Sequence, residues 1–65
     1  MRFGDRLRAA REKAGLDQAE LARLVGLDQS TLNHYERHRR RPDFQRLTDI
    51  CRHLDVTTDS LIIGE

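Results

Sequence analysis

Cysteine and proline occur once each in this 65-residue chain, tryptophan is absent, and the aromatics are only Phe3, Tyr35 and Phe44. A lone Cys51 cannot close an intramolecular disulfide, which excludes a stapled secreted mini-protein. No apolar run approaches the ~18 residues of a membrane span, and Met-Arg-Phe-Gly-Asp is not a signal peptide. A soluble, cytoplasmic chain is expected. The length itself is a further shortage, because a domain of about 60 residues buries only ~60% of the surface its unfolded chain exposes. A large catalytic pocket, a doubly wound sheet and a barrel are out on size. No glycine-rich phosphate loop, nucleophile elbow or pair of acids is visible, so an enzyme is not expected. No cofactor or small-molecule ligand is implied. His34 and His38 are four apart but lack a supporting Cys or carboxylate, so no metal is expected either.

What is abundant is charge, at 35% of residues with a net of only +1. That near-neutral total hides an asymmetry. Residues 1–41 carry ten Lys/Arg against six Asp/Glu, a net of +4, whereas residues 42–65 carry two against five, a net of −3. The densest run, Arg37-His38-Arg39-Arg40-Arg41, contains no acid. Such a concentration raises the local field felt by a polyanion, whatever the average says.

Apolar spacing of three and four predicts five helices and no strand. Phe3, Leu7, Ala10 and Ala14 form the first stripe, stopped by Gly15. Asp17 with Glu20 makes a capping box for a second helix carrying Leu21, Ala22 and Val25 and ending at Gly26. Asp28 caps a third with Leu32 and Tyr35 inward. Pro42-Asp43 opens a fourth lined by Phe44, Leu47, Ile50, Cys51 and Leu54, and Thr57 caps a short fifth with Leu61 and Ile62. Cys51 reads as a small core residue. The fold class is all-α, a compact five-helix bundle forming one domain over residues 1–65.

The second and third helices are joined by little more than Gly26-Leu27. So tight a link suits a crossing near ~90–120°, the helix-turn-helix geometry, here over about residues 17–37. At about 100° per residue from Gln29, the core direction of the third helix falls near 270°, between Leu32 and Tyr35. Gln29, Asn33, Arg37, Ser30 and His34 then occupy the sector from 0° to about 140°. That stripe is polar and free of acids. Amides, hydroxyls and imidazole both donate and accept, the chemistry needed to read base edges. Gln18 stands at the start of the second helix, where free N–H groups favour an anion. Arg37, Arg39 and Arg40 flank the groove side of the third helix. Asp17 and Asp28 are read as caps whose oxygens are occupied by backbone donors, with a cytosine amino group as the alternative partner of Asp28.

Gly15 to Gly26, then Gln29-Ser30-Thr31-Leu32 and Tyr35-Glu36-Arg37, resemble the helix-turn-helix domains of lambdoid phage repressors and Cro, the xenobiotic-response-element type of regulator. The likeness runs on through Arg41-Pro42, Leu47, Ile50, Leu54, Val56 and Leu61 to Glu65. The resemblance implies a λ-repressor-like DNA-binding domain, a transcriptional regulator of the repressor kind whose third helix enters the major groove of a pseudo-palindromic operator as a homodimer. It implies base reading by Gln29, Ser30 and His34, with Asn33 beside them. Phosphate is implied to bind Gln18, Arg37, and Arg39 or Arg40. It also implies an ion pair between Arg11 and Glu36. The sequence departs from the pattern at His38, where relatives commonly have Gly or Asn, and at Leu24, where they are often polar. Because Leu61-Ile62-Ile63 cannot all face one small core, Ile63 and Leu61 are candidate dimer contacts. The competing reading is a helical module of the antitoxin type that binds a protein instead. Such a module has no reason to keep acids off the Gln29–Arg37 stripe.

Overall fold

The computed structural model describes residues 1–64, and Glu65 lies outside the described residues. Five helices follow one another: α1 (Phe3–Lys13), α2 (Gln18–Val25), α3 (Gln29–Glu36), α4 (Phe44–Leu54) and α5 (Thr58–Ile62). Among the described residues there is no strand. α1 packs on α3 and α5, α2 on α3 and α4, and α4 on α5, so every helix touches at least one that is distant in sequence.

The core takes Leu7 from α1, Leu21 and Ala22 from α2, and Leu32 and Tyr35 from α3. Leu47, Ile50, Cys51 and Leu54 of α4 and Leu61 of α5 complete it. These are the positions that recur at three and four along each helix, which is why the apolar stripes predict them. Phe44 is the exception, at 76% exposed. It continues the α4 stripe in register, but side chains on a helix lean toward its N-terminus, so a residue in the first turn overshoots the core.

Four helices end in the same way, with one residue in the left-handed region and the next amide reaching back to a carbonyl five residues earlier. Gly15 (φ 77°) does this for α1, with Leu16 N–H donating to the Arg11 carbonyl at 3.2 Å. Gly26 (φ 72°) does it for α2, with Leu27 N–H on the Ala22 carbonyl at 2.8 Å. His38 (φ 68°) and Asp55 (φ 56°) repeat it after α3 and α4, with Arg39 and Val56 as donors to His34 and Cys51. Both are polar residues of the kinds that tolerate this conformation best after glycine.

The helix starts are less uniform. The Asp17 carboxylate accepts from Glu20 N–H at 2.8 Å while the Glu20 side chain accepts from Asp17 N–H at 2.9 Å, a complete capping box. Asp43 caps α4 through Arg46 N–H, and Thr57 caps α5 through Ser60 N–H. Asp28 does not cap α3 with its side chain, contrary to the sequence expectation. Only its carbonyl engages the helix, accepting from Thr31 and Leu32 N–H.

α1 and α3 meet at Gly4, which is buried. A methyl group there would lie 2.6 Å from the carbonyl oxygens of both Tyr35 and Glu36. Only a residue without a Cβ lets the two backbones come so close.

Candidate nucleic-acid interface

The tight turn at Gly26-Leu27 swings α3 away from α2 and leaves one flank of α3 uncovered. Gln29 and Ser30 on that flank are exposed, while Asn33 and His34 are half-buried. Together with Gln18, at the start of α2, they line one shallow depression at the surface. The five residues singled out from sequence on the two helices are therefore contiguous. Leu24, on the outer side of α2, is half exposed.

Behind this face sits a buried ion pair. Arg11 Nε donates to Glu36 Oε2 at 2.7 Å and Arg11 Nη2 to Oε1 at 3.1 Å, a two-pronged bond between residues 8% and 6% exposed. The third prong of Arg11, Nη1, donates to the Leu16 carbonyl at 2.8 Å. The hydrogen bond to Glu36 raises the Arg11 pKa above its ordinary value, so the guanidinium is permanently charged. Gln18 Nε2 also donates to Glu36 Oε1, at 3.1 Å, and Asn33 Nδ2 donates to Gln18 Oε1 at 3.2 Å. The hydrogen-bonded chain thus runs from the core ion pair to the open face. No sequence signal pointed to these two amide bonds, which join residues 15 and 18 apart on different helices.

Beyond α3 the left-handed turn at His38 sends Arg37, Arg39, Arg40 and Arg41 outward, and all four are exposed. Arg40 and Arg41 line the clefts on either side of Tyr35, together with Arg2 and with Arg46. The Arg41 guanidinium lies 5.4 Å from the centroid of the Phe3 ring, close enough for a cation–π contact. His38 turns the other way, its Nε2 3.4 Å from Asp5 Oδ1 at the start of α1. The Asp5 carboxyl is held below its ordinary pKa, first by the Arg2 N–H that it accepts and then by this histidine. Of the two acids that precede α2 and α3, Asp17 is occupied in its capping box, while the exposed Asp28 carboxylate has no cap bond.

The two residues named as dimer contacts separate. Leu61 is 2% exposed and packs in the core, so it is unavailable to a partner; Ile63 is 60% exposed. α5 is one turn long and can turn only one of three consecutive apolar residues inward, and it turns Leu61. Ile62, at 46% exposed, lines a surface groove with Phe44, Phe3 and Pro42. Phe44 lies on the apolar stripe of α4 by periodicity, yet it is 76% exposed.

A short turn between two packed helices, with an acid-free polar flank on the second, defines the class as a helix-turn-helix domain. The helix-turn-helix domain family matches residues 2–61, and the chain belongs to it. Among curated proteins it is 39% identical over 62 residues to the HTH-type transcriptional regulator ImmR of Bacillus subtilis, covering 95% of this chain and 49% of that protein. It is 31% identical over 63 residues to repressor protein C2 of Salmonella phage P22, covering 97% of this chain and 29% of the repressor. The chain therefore spans about half the length of ImmR and less of C2. Among solved structures, the P22 c2 repressor bound to a synthetic operator superposes with a TM-score of 0.94 at 29% identity, covering all of this chain and 98% of the other. The fold is that of the phage repressors. No helix among the described residues is long and apolar enough to cross a membrane.

Proposed function

We propose that this chain is the DNA-binding part of a sequence-specific transcriptional regulator, acting as a repressor by occupying a double-stranded operator in the cytoplasm. The observation that carries the reading is the α3 flank: four amide, hydroxyl and imidazole side chains, contiguous with Gln18 of α2 and with no acid among them, beside an exposed run of arginines. α3 enters the major groove, where Gln29, Ser30, Asn33 and His34 meet base edges. Gln29 has the geometry to bond adenine at N6 and N7 together. Gln18 and Arg37, Arg39 and Arg40 hold the phosphates on either side, which makes affinity fall with salt. Action is by binding alone, without catalysis. The structure of the P22 c2 repressor with its synthetic operator supports this reading.

Two copies bind one pseudo-palindromic site, with their α3 helices about one helical turn, or roughly 34 Å, apart. Ile63 of each copy, next to the exposed Ile62, supplies apolar surface for the pairing.

Selection of bound sites from random DNA at stated salt tests the reading, with the mass of free and bound protein measured alongside. A two-fold symmetric site is expected, with Gln29→Ala changing the selected bases and Arg39→Ala weakening all sequences alike while flattening the salt dependence. A Gln29→Ala chain with an unchanged selected profile would sink the assignment of α3 as the reading helix.

A further inference from the structure

The hydrogen bonds behind the α3 flank have a direction, and that direction is imposed from the core. Glu36 faces a guanidinium that cannot release its proton, so both of its oxygens act as acceptors. Gln18 lies 3.1 Å from Glu36 Oε1 and must therefore present its amino group there, since its carbonyl would set oxygen against oxygen. With Nε2 turned inward, Oε1 of Gln18 faces Asn33 and can only accept. Asn33 must in turn offer its amino group, as the 3.2 Å bond from Nδ2 records. Neither amide can flip alone without bringing two acceptors, or two donors, together. The orientation follows from the charge of Glu36 and needs no distinction between amide oxygen and nitrogen.

We propose that Gln18 and the Arg11–Glu36 pair are positioning residues that lock the polarity of Asn33 and so fix one base of the operator. Asn33 lines the depression formed with Gln29, Ser30 and His34. One N–H of its amino group is tied to Gln18, and its carbonyl oxygen is the atom left wholly uncommitted. An acceptor in the major groove pairs with the exocyclic amino groups, N6 of adenine or N4 of cytosine, and meets only acceptors on guanine and thymine. The strand facing Asn33 therefore carries an amino base, A or C, in preference to a keto base. The proposal rests on the reading of α3 as the DNA-reading helix.

Two measurements test it, one of them without DNA. In nitrogen-15 spectra of the free chain, the side-chain amide protons of Gln18 and Asn33 exchange with water more slowly than those of exposed Gln29. Gln18→Met keeps the length of the side chain and removes both bonds, so Asn33 should then exchange at the Gln29 rate. Equal exchange for all three amides in the unsubstituted chain would overturn the lock. In site selection, one position shows A or C over G or T by about fivefold or more, the worth of one net hydrogen bond. Gln18→Met also gives up a phosphate contact and so weakens all sequences alike. Among the sites selected, it brings that ratio toward one at this position and leaves the relative preferences at the other positions as they were. Selected sites whose amino-base preference survives Gln18→Met overturn the lock while leaving α3 as the reader. An unsubstituted chain that selects no sequence overturns the reading and the lock with it.

Discussion

Gly4→Ala places one methyl group between two helices, and the outcome depends on which of two opposing effects is larger. Alanine is the better helix former by about 0.5–1 kcal/mol, and propensity alone predicts a gain in stability. Against this, the new carbon would sit 2.6 Å from the carbonyl oxygens of Tyr35 and Glu36 and 2.9 Å from the Glu36 carbonyl carbon. All three are backbone atoms in α3 and cannot turn aside as a side chain would. α1 and α3 must separate by about 0.8 Å to restore ordinary contact at 3.4 Å. Overpacking typically costs about 1–3 kcal/mol, and a backbone obstacle belongs at the upper end of that range. The net destabilisation is then about 2 kcal/mol, which for a domain of this size lowers Tm by roughly 8–16 °C. The same displacement pulls Glu36 away from Arg11. Gly15→Ala is the control, because nothing lies within 4 Å of its added carbon while φ is +77°. It should cost about 1 kcal/mol through backbone conformation alone. Circular-dichroism melts of the three chains decide the matter. A Gly4→Ala chain that melts at or above the unsubstituted protein would refute the close approach of α1 and α3.

Arg11→Ala leaves the Glu36 carboxylate buried without its counter-charge, at a cost of about 3–5 kcal/mol. That is comparable to the whole stability of a small domain, so urea titration should find the chain largely unfolded in buffer. Replacing both partners, Arg11→Met with Glu36→Leu, should recover most of the loss; a pair no more stable than Arg11→Ala alone would refute the ion-pair account. Burial pushes the Cys51 thiol above its ordinary pKa, so iodoacetamide at neutral pH should label it only as fast as the chain opens. Complete labelling within minutes without denaturant would contradict that packing. Asp5, held below its ordinary 3.8 first by Arg2 N–H, contributes to the start of α1 above that pH and loses the contribution as pH falls through its lowered value. The Arg2 amide proton, followed by NMR, should titrate with a midpoint below 3.8, and a midpoint at or above it would remove the cap.

The spacing of apolar residues, the capping box at Asp17 and the glycines at 15 and 26 located the helices, and residue type alone drew the polar flank of α3. Each of these signals is local. It lies within the three to six residues over which a helix or turn makes its own hydrogen bonds, so the chain states it without knowing its neighbours. Asp55 was harder to read, because aspartate closes helices in the left-handed region less often than glycine does. Phe44 lies outside the core although it keeps the stripe's register, because periodicity gives the direction of a side chain around its helix and says nothing of where the core ends. Leu61 and Ile63 could be divided between core and surface only once α5 had docked. The bond between Arg11 and Glu36, 25 residues apart, was legible only through family likeness.

The sequence by itself determined five helices, a tight turn, and a positive side carrying a polar stripe free of acids. Tertiary structure decided how near α1 comes to α3, which apolar residues remain outside, and how Gln18 and Asn33 turn their amides. The reason is physical. A helix and its caps follow from contacts along the chain, whereas the orientation of an amide follows from whichever group packing sets opposite it, and here that group is a carboxylate held by an arginine two helices away.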